Sequence, residues 1–329
     1  MSDSMYDIVV VGGGPAGLAV AISAAFEGLS TCVVDRNPEG FGGAIGQTAL
    51  IENLPGFPEG ITGPELAARL IAHAIKNGAE LIGPENIVDI ARKDAGSFSV
   101  TFDGGGKLSA RTVVLATGVQ PVRLDAHGVS EFLRCGVSYY PPPTNGFYKD
   151  QEFHIVGGGN SAAIAANFLS EHEGCSVNML VRADTVTRTM SKVLIDKLEA
   201  KKPNVRFHYN TSVVGAEGKG KLEKIVLKNP SGLTTVPSHG LYVFIGTQPK
   251  TEWLNGKGIV RDPKGFLLTG YDIPIGALGA AIKPIEYQTS WPGVFAIGTG
   301  RMGCSPRAAS ATGEGAQIVK AILEYLTHT

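Results

Sequence analysis

Apolar residues in this chain come in short runs that end at glycines. The unbroken apolar character of residues 6–11 predicts a parallel strand covered on both faces. A glycine-rich turn follows it, then a helix predicted over 18–27 that Gly28 ends, and a strand over 31–34. The pattern therefore predicts a βαβ unit at the start of the chain.

The same order of elements returns in the middle of the chain. Residues 152–156 are predicted to form a strand, 157–162 a glycine-rich turn, 163–171 a helix and 177–181 a second strand. Repeats this far apart indicate a duplicated domain type rather than a solenoid. Because a single core rarely grows to 329 residues, we expect two domains.

Other segments fit the same class of protein. Strands are predicted over 111–115 and 293–297, a Pro-rich segment over 140–145 and an amphipathic helix over 313–325. Strands that alternate with helices and glycine turns are typical of an α/β fold. We expect two Rossmann-like nucleotide-binding domains.

Composition and charge argue against several classes of protein. With 43% hydrophobic residues, 18% charged residues and 44 glycines, the chain has the composition of a soluble globular protein. The formal net charge of -1 argues against nucleic-acid binding, and no basic run is longer than a pair such as Lys201-Lys202. The N-terminal apolar run is too short for a signal peptide or a membrane span.

Cysteine usage indicates the compartment. The cysteines stand at positions 32, 135, 175 and 304. They include no C-x-x-C and no regular spacing, which is typical of free thiols in a reducing cytoplasm. The histidines show no metal-ligand or triad spacing either, so we predict a cytoplasmic protein without a metal site.

The first glycine turn has the spacing of a dinucleotide-binding loop. Its first glycine permits the tight turn, its second lets the backbone approach a pyrophosphate, and its third packs the helix against the strand. The helix N-terminus offers N–H groups to phosphates, and Asp35 closes the next strand, where a carboxylate accepts ribose hydroxyls. A purely structural turn would leave Asp35 unexplained. The candidate cofactor residues are Gly12, Gly14, Pro15, Ala16, Gly17, Asp35 and Arg36.

The second glycine turn follows the same rule, with Ala162 at the variant third position. The strand after it ends at Arg182, which can take the 2′-phosphate of NADP or can equally be a surface charge. Two such loops in one chain indicate a flavoenzyme that transfers hydride, with FAD in one loop and NAD(P)H in the other. The candidate nicotinamide-nucleotide residues are Gly157, Gly159, Asn160, Ser161 and Arg182.

Five motifs occur in order: the loop 12–17, Gly42-Gly43 with residues 52–56, the turn 116–118, the segment that opens at Gly136, and residues 292–298. On these motifs the chain resembles the low-molecular-weight thioredoxin reductase family over essentially its whole length, and within it the subgroup without the C-x-x-C pair. The resemblance adds flavin-site candidates, namely Gly43, Gln47, Asn53, Ala116, Thr117, Gly118, Gly298, Thr299, Arg307 and Ala308.

The resemblance also implies a domain arrangement. FAD would be bound by a discontinuous domain, 1–120 and 247–329, and NAD(P)H by a domain inserted at 121–246. Both would have the three-layer ββα form of the Rossmann-like fold. The resemblance further implies a homodimer.

The chain departs from that family at the redox centre. The two positions where family members carry their cysteine pair hold Tyr140 and Pro143. Neither forms a mixed disulfide, because exchange requires a thiolate. Reduction of thioredoxin by the family's route is therefore excluded unless a distant thiol, Cys135 or Cys304, substitutes.

Smaller departures weaken the cofactor sites. Thr299 stands where the family has an Asp that accepts a hydrogen bond from the ribityl chain of the flavin. Ala44 replaces a glutamine, for which Gln47 can compensate, and Arg182-Ala183 replaces a pair of arginines. FAD binding is still expected, whereas the preference for NADPH stays open.

We expect an FAD-dependent oxidoreductase that passes electrons from NAD(P)H to a non-disulfide acceptor, either a small molecule or an electron-transfer protein. Two alternatives stay open: an enzyme reduced by a ferredoxin-like protein, and a flavin-binding sensor or assembly module without turnover. Tyr140 is the catalytic candidate, since its ring falls where the disulfide would face the flavin. It can equally belong to a stiff extended linker over 139–143.

Overall fold

The computed structural model describes residues 5–37, 40–48, 50–93, 96–143, 146–278 and 285–328. Residues 144 and 145, the end of the predicted Pro-rich segment, lie outside these ranges. Within the ranges, no helix combines the length and apolar character needed to cross a membrane.

The strands, in chain order, are β1 Met5–Val11, β2 Thr31–Val34, β3 Glu80–Ile82, β4 Ile87–Arg92, β5 Phe98–Phe102, β6 Lys107–Leu115, β7 Val119–Pro121, β8 Val137–Ser138, β9 Glu152–Val156, β10 Ser176–Leu180, β11 Val205–His208, β12 Ser212–Glu217, β13 Lys224–Asn229, β14 Gly232–Pro237, β15 Gly240–Val243, β16 Thr247–Pro249 and β17 Val294–Ala296. The α-helices are α1 Pro15–Phe26, α2 Gly63–Lys76, α3 Asn160–Leu169, α4 Lys192–Glu199, α5 Ile275–Leu278 and α6 Ala308–His328.

The chain forms two compact units. The first unit comprises Met1–Gln120 and Gln248–Thr329, and the second comprises Pro121–Thr247. Strands β7 and β16, at the two places where the chain passes from one unit to the other, pair as a two-stranded sheet.

In the first unit, β3, β2, β1 and β6 lie side by side in a parallel sheet, and β17 adds to β6. Strands β5 and β4 continue from β6 as an antiparallel meander. Strand β1 is buried on both faces, as its apolar pattern predicts. Ile8 and Val10 join the core with α1 and α6, whereas Val9 and Val11 join the core with β4 and β5.

The second unit has three layers: the helices α3 and α4, a parallel sheet and an antiparallel sheet. Its parallel sheet runs β11-β10-β9-β15-β8, and β12, β13 and β14 form a separate antiparallel sheet. One core, with Ile155, packs against α3 and α4, and the other, with Leu180, packs against the antiparallel sheet. The α/β class with two Rossmann-like domains is therefore confirmed.

Three helices, α1, α3 and α6, begin earlier than the sequence pattern predicts, and α3 begins at Asn160 instead of residue 163. Helix α1 begins at Pro15, because proline fits the first helical turn, where its missing N–H costs nothing. Helix α6 begins at Ala308, ahead of the predicted start at Gly313. A Cβ at Gly315 would lie 2.4 Å from the carbonyl oxygen of Ala16, so this glycine allows close packing of α6 against α1.

Candidate functional site

The glycine turn of the first unit lies between β1 and α1. Gly14 is the extended residue at the N-terminal cap of α1, and no described side chain caps it. A Cβ at Gly12 would lie 2.3 Å from the Ala116 carbonyl oxygen, and one at Gly17 would lie 1.9 Å from the Gly12 carbonyl oxygen. Only glycine fits these positions, and the helix N-terminus is left open to a ligand with oxygen acceptors.

Asp35 follows β2 and lies against this turn. Its Oδ2 accepts a hydrogen bond from the Gly13 backbone N–H at 2.6 Å, and its Oδ1 accepts one from the Asn37 N–H at 2.8 Å. The Asp35 carbonyl oxygen accepts a third, from the Glu85 N–H at 2.9 Å. The carboxylate is thus fixed in position, and each oxygen has capacity for a further bond from a ribose hydroxyl.

Three segments of the first unit meet beside α1: the loop 12–17, the turn 116–118 and residues 298–300. A Cβ at Gly298 would lie 3.0 Å from the Ala16 Cβ, and one at Gly118 would lie 3.6 Å from the Thr299 Oγ1. The buried Thr117 Oγ1 has no hydrogen-bond partner among the described residues. A buried hydroxyl without a partner indicates a group that the site receives from outside the chain.

The remaining flavin-site candidates make fewer close contacts with the glycine turn. A Cβ at Gly43 would lie 3.0 Å from the Gly14 Cα, so this segment does reach the glycine turn. Ala308 packs against a small apolar cluster that contains Ile45. Three further candidates are exposed: Gln47, Asn53 and Arg307.

A cleft of about 210 Å³ opens beside Asp35. Four sequence candidates line it: Gly12, Asp35, Arg36 and Thr117. Other polar or aromatic lining residues were not predicted from the sequence, namely Glu85, Asn86, Gln120, Lys250, Glu252 and Trp253. These residues follow β3, lie on β7 or follow β16, and no spacing pattern relates them to the glycine turn.

Glu314 is another residue that the sequence analysis did not identify. Its Oε2 accepts a hydrogen bond from the Gly298 backbone N–H at 2.8 Å, and its side chain forms an ion pair with Arg301. Helix α6 thereby holds the turn that carries Thr299.

The glycine turn of the second unit repeats the geometry of the first. A Cβ at Gly157 would lie 2.3 Å from the Phe244 carbonyl oxygen, the same separation as at Gly12. Gly159 is the extended residue that caps α3, again without a side-chain cap among the described residues. This turn can therefore also receive a dinucleotide phosphate.

Residues after β10 hold this second turn. Thr189 Oγ1 donates a hydrogen bond to the Gly158 carbonyl oxygen at 2.6 Å, and Asn160 Oδ1 accepts one from the Ser191 N–H at 2.8 Å. Arg182, close to the end of β10, is exposed, as is Ser161. An exposed guanidinium here can reach a phosphate on a bound nucleotide.

Tyr140 lies in the second unit and is half exposed. Its N–H donates to the Ser138 Oγ at 3.0 Å, and its carbonyl accepts from the same hydroxyl at 3.0 Å. The neighbouring Tyr139 is buried, its hydroxyl accepts from the Leu124 N–H at 2.8 Å, and the Arg123 guanidinium lies 4.7 Å from its ring centre. Tyr139 thus anchors this segment and leaves the Tyr140 ring accessible.

The thiols are free. Burial raises the pKa of Cys32 to about 12 and that of Cys175 to about 11. Burial and the nearby Glu314 raise the pKa of Cys304 to about 12. Cys135 is exposed. A thiol with a raised pKa stays protonated near neutral pH and is a poor nucleophile.

No group of three His, Cys, Asp or Glu side chains in the described ranges is placed to hold a metal.

Comparisons with known proteins place the chain in a family. A family model described as pyridine nucleotide-disulphide oxidoreductase matches residues 6–315. The thioredoxin reductase of Streptomyces coelicolor is 33% identical over 270 residues, which cover 81% of this chain and 81% of that protein. The thioredoxin reductase of Listeria monocytogenes is 28% identical over 316 residues, which cover 95% of this chain and 91% of that protein.

A solved structure has the same fold. The crystal structure of Lactococcus lactis thioredoxin reductase matches with a TM-score of 0.86 at 26% identity, and the match covers 98% of this chain and 100% of that chain. The chain belongs to the pyridine nucleotide-disulphide oxidoreductase family, and the resemblance seen in its motifs is confirmed.

Proposed function

We propose that this family member, an FAD-dependent oxidoreductase, takes electrons from NAD(P)H and passes them to an acceptor other than a protein disulfide. The observation that carries the proposal is that the sequence holds no C-x-x-C pair, and the resemblance implies that Tyr140 and Pro143 stand where the low-molecular-weight thioredoxin reductases have theirs. When bound, FAD would supply the chemistry of hydride acceptance and electron release.

The first unit is the proposed FAD domain. The open N–H groups at Gly14 would hold the pyrophosphate, and the fixed carboxylate of Asp35 would accept the ribose hydroxyls. The buried Thr117 hydroxyl, which lines the cleft, would gain a partner in the cofactor. Thr299 would accept a hydrogen bond from the ribityl chain, more weakly than a carboxylate because it carries no charge.

The second unit is the proposed NAD(P)H domain. Its support is the glycine turn that opens α3, where a Cβ at Gly157 would lie as close to the Phe244 carbonyl oxygen as a Cβ at Gly12 would lie to that of Ala116. Arg182 is the one arginine left from the family's pair, so either NADH or NADPH fits this proposal.

The cysteines support a non-disulfide acceptor. Exchange with a protein disulfide begins with a thiolate, and three of the four thiols are held protonated at neutral pH by their raised pKa values. The fourth, Cys135, is exposed and lies in the second unit. The spacing and burial of these residues offer no resolving partner in a C-x-x-C arrangement.

The test of the electron donor is an anaerobic titration of the purified FAD-loaded chain, followed by the flavin absorbance band. Bleaching by NADH or NADPH is the expected result. Bleaching only by reduced ferredoxin would show that a ferredoxin-like protein, and not NAD(P)H, is the electron donor. A flavin that none of these donors reduces would favour a module without turnover. Rapid mixing of the Tyr140→Phe and Tyr140→Ala variants with the reduced nucleotide tests whether the Tyr140 hydroxyl or ring affects the rate of flavin reduction.

The test of the acceptor is a disulfide reduction assay with thioredoxin and with a small aromatic disulfide. We expect no thiol release above background. Thiol release that survives the double replacement Cys135→Ser and Cys304→Ser would contradict the proposal, whereas release abolished by that replacement would identify a substitute thiol.

We further propose that the protein is a cytoplasmic homodimer, as its resemblance to thioredoxin reductases implies. Light scattering should give a mass of twice the 34.4 kDa chain. A monomeric mass over the working concentration range would contradict the dimer.

A further inference from the structure

Lys250 is a half-buried cation in the cleft beside Asp35. Burial and the charge of Arg36 lower the pKa of its ammonium group, while the carboxylate of Asp35 acts in the opposite direction. Glu85 and Glu252 also line the cleft.

The backbone of Lys250 is fixed on both sides. Its N–H donates a hydrogen bond to the Gly118 carbonyl oxygen at 3.1 Å. Its own carbonyl oxygen accepts one from the Trp253 Nε1 at 3.2 Å. Because Gly118 belongs to the turn that approaches Thr299, these bonds tie Lys250 to the same group of loops that forms the candidate flavin site.

The ammonium group forms no ion pair among the described residues, although the structure places it in a partly dehydrated cleft. The nearby carboxylate of Asp35 already accepts hydrogen bonds from two backbone N–H groups. A partly desolvated cation that makes no ion-pair contact is stabilised when a ligand brings negative charge within contact distance. FAD carries two phosphate charges, and its ribose is assigned to Asp35 at this cleft.

We propose that Lys250 is a cofactor-binding residue whose ammonium group pairs with a phosphate oxygen of the adenosine diphosphate half of FAD. The proposal rests on the assignment of FAD to the first unit under the proposed function. The residue has no counterpart in the glycine-loop fingerprint.

The test is binding of FAD, ADP and adenosine to the full-length apoprotein, measured by calorimetry and by flavin fluorescence. Lys250→Met should weaken FAD and ADP about tenfold, because a charge-assisted contact is lost, and should leave adenosine unchanged. Lys250→Arg should restore most of the affinity. The slope of log Kd against log salt concentration should also be smaller for Lys250→Met than for the wild type.

Lys264→Met is the matched control, since Lys264 is an exposed lysine of the same unit that does not line the cleft. Equal FAD affinity for Lys250→Met and the wild type would overturn the inference while leaving the FAD assignment intact. Equal weakening of ADP and adenosine would also overturn it, because the loss would then not depend on phosphate charge. A wild-type chain that binds no FAD would instead contradict the proposed function.

Discussion

The Glu314 carboxylate accepts a hydrogen bond from the backbone N–H of Gly298 at 2.8 Å, so a residue of α6 fixes the turn that ends β17. The same carboxylate forms an ion pair with Arg301, and the two side chains are 12% and 14% exposed. Arg301 also donates to the Met302 carbonyl oxygen at 2.8 Å. This network positions Thr299, the neutral residue in the proposed flavin-binding turn.

Glu314→Gln should lower the free energy of unfolding by about 2 kcal/mol, because Arg301 stays largely buried after it loses its counter-charge. It should also weaken FAD binding, because the Gly298 turn loses a charged acceptor. Urea unfolding and FAD titration measure both effects. Glu324→Gln, an exposed change on the same helix, is the control and should leave both unchanged. Wild-type stability in Glu314→Gln would show that the ion pair contributes nothing.

The sequence predicted those parts of the site that depend on local backbone geometry. The glycine spacing at Gly12 and Gly17 reports a steric requirement within one short segment, and the structure shows the close approaches that require it. The same holds for Gly157, whose Cβ would meet the Phe244 carbonyl oxygen.

Residues that act through tertiary contact were not predictable. Lys250 reaches the cleft because β16 returns to the first unit, and Glu314 reaches Gly298 because α6 packs on α1. A single sequence carries no signal for such long-range contacts. The pattern also placed the start of α6 at Gly313, whereas the helix begins at Ala308 and its Gly315 allows close packing against Ala16.

Gly17→Ala should abolish FAD binding and destabilise the first unit, because its Cβ would lie 1.9 Å from the Gly12 carbonyl oxygen. Gly157→Ala should weaken NAD(P)H binding and leave FAD bound. A visible spectrum of each variant reports bound FAD, and nucleotide titrations report NAD(P)H affinity. Gly313→Ala is the control, because a Cβ added there would meet no described atom within 4 Å. Loss of FAD in Gly157→Ala would contradict the assignment of one nucleotide to each unit.

Asp35→Asn should weaken FAD about tenfold and lower the stability of the fold by about 1 kcal/mol, because the amide NH2 cannot accept one of the two backbone N–H groups that the carboxylate accepts. The amide keeps the size of the carboxylate, but it lacks the negative charge that strengthens the hydrogen bonds from the Gly13 N–H, at 2.6 Å, and from the ribose hydroxyls. Flavin fluorescence gives the affinity, and thermal unfolding of the apoprotein checks the fold. Asp262→Asn, a change in a turn of the same unit, provides the comparison. Unchanged FAD affinity in Asp35→Asn would place the ribose elsewhere.

Acid should destabilise the protein through His154, which is 2% exposed in the second unit with its Nδ1 3.0 Å from the Ser238 Oγ. Burial, aided by the charge of His208, lowers the pKa of His154 to about 4. An unfolded histidine titrates near pH 6.5, so the unfolded chain takes up the proton first as the pH falls. Stability is therefore full above about pH 6.5 and is lost towards about pH 4, by about 3 kcal/mol for this group.

Urea unfolding of the wild type and of His154→Gln at a series of pH values checks this expectation. The glutamine keeps a hydrogen bond to Ser238 but does not titrate, so the stability of the variant should vary less between about pH 6.5 and about pH 4.5. His73→Gln, at an exposed site on α2, should retain the wild-type slope. If the slopes of the wild type and His154→Gln coincide, the buried histidine is not the group that links stability to pH.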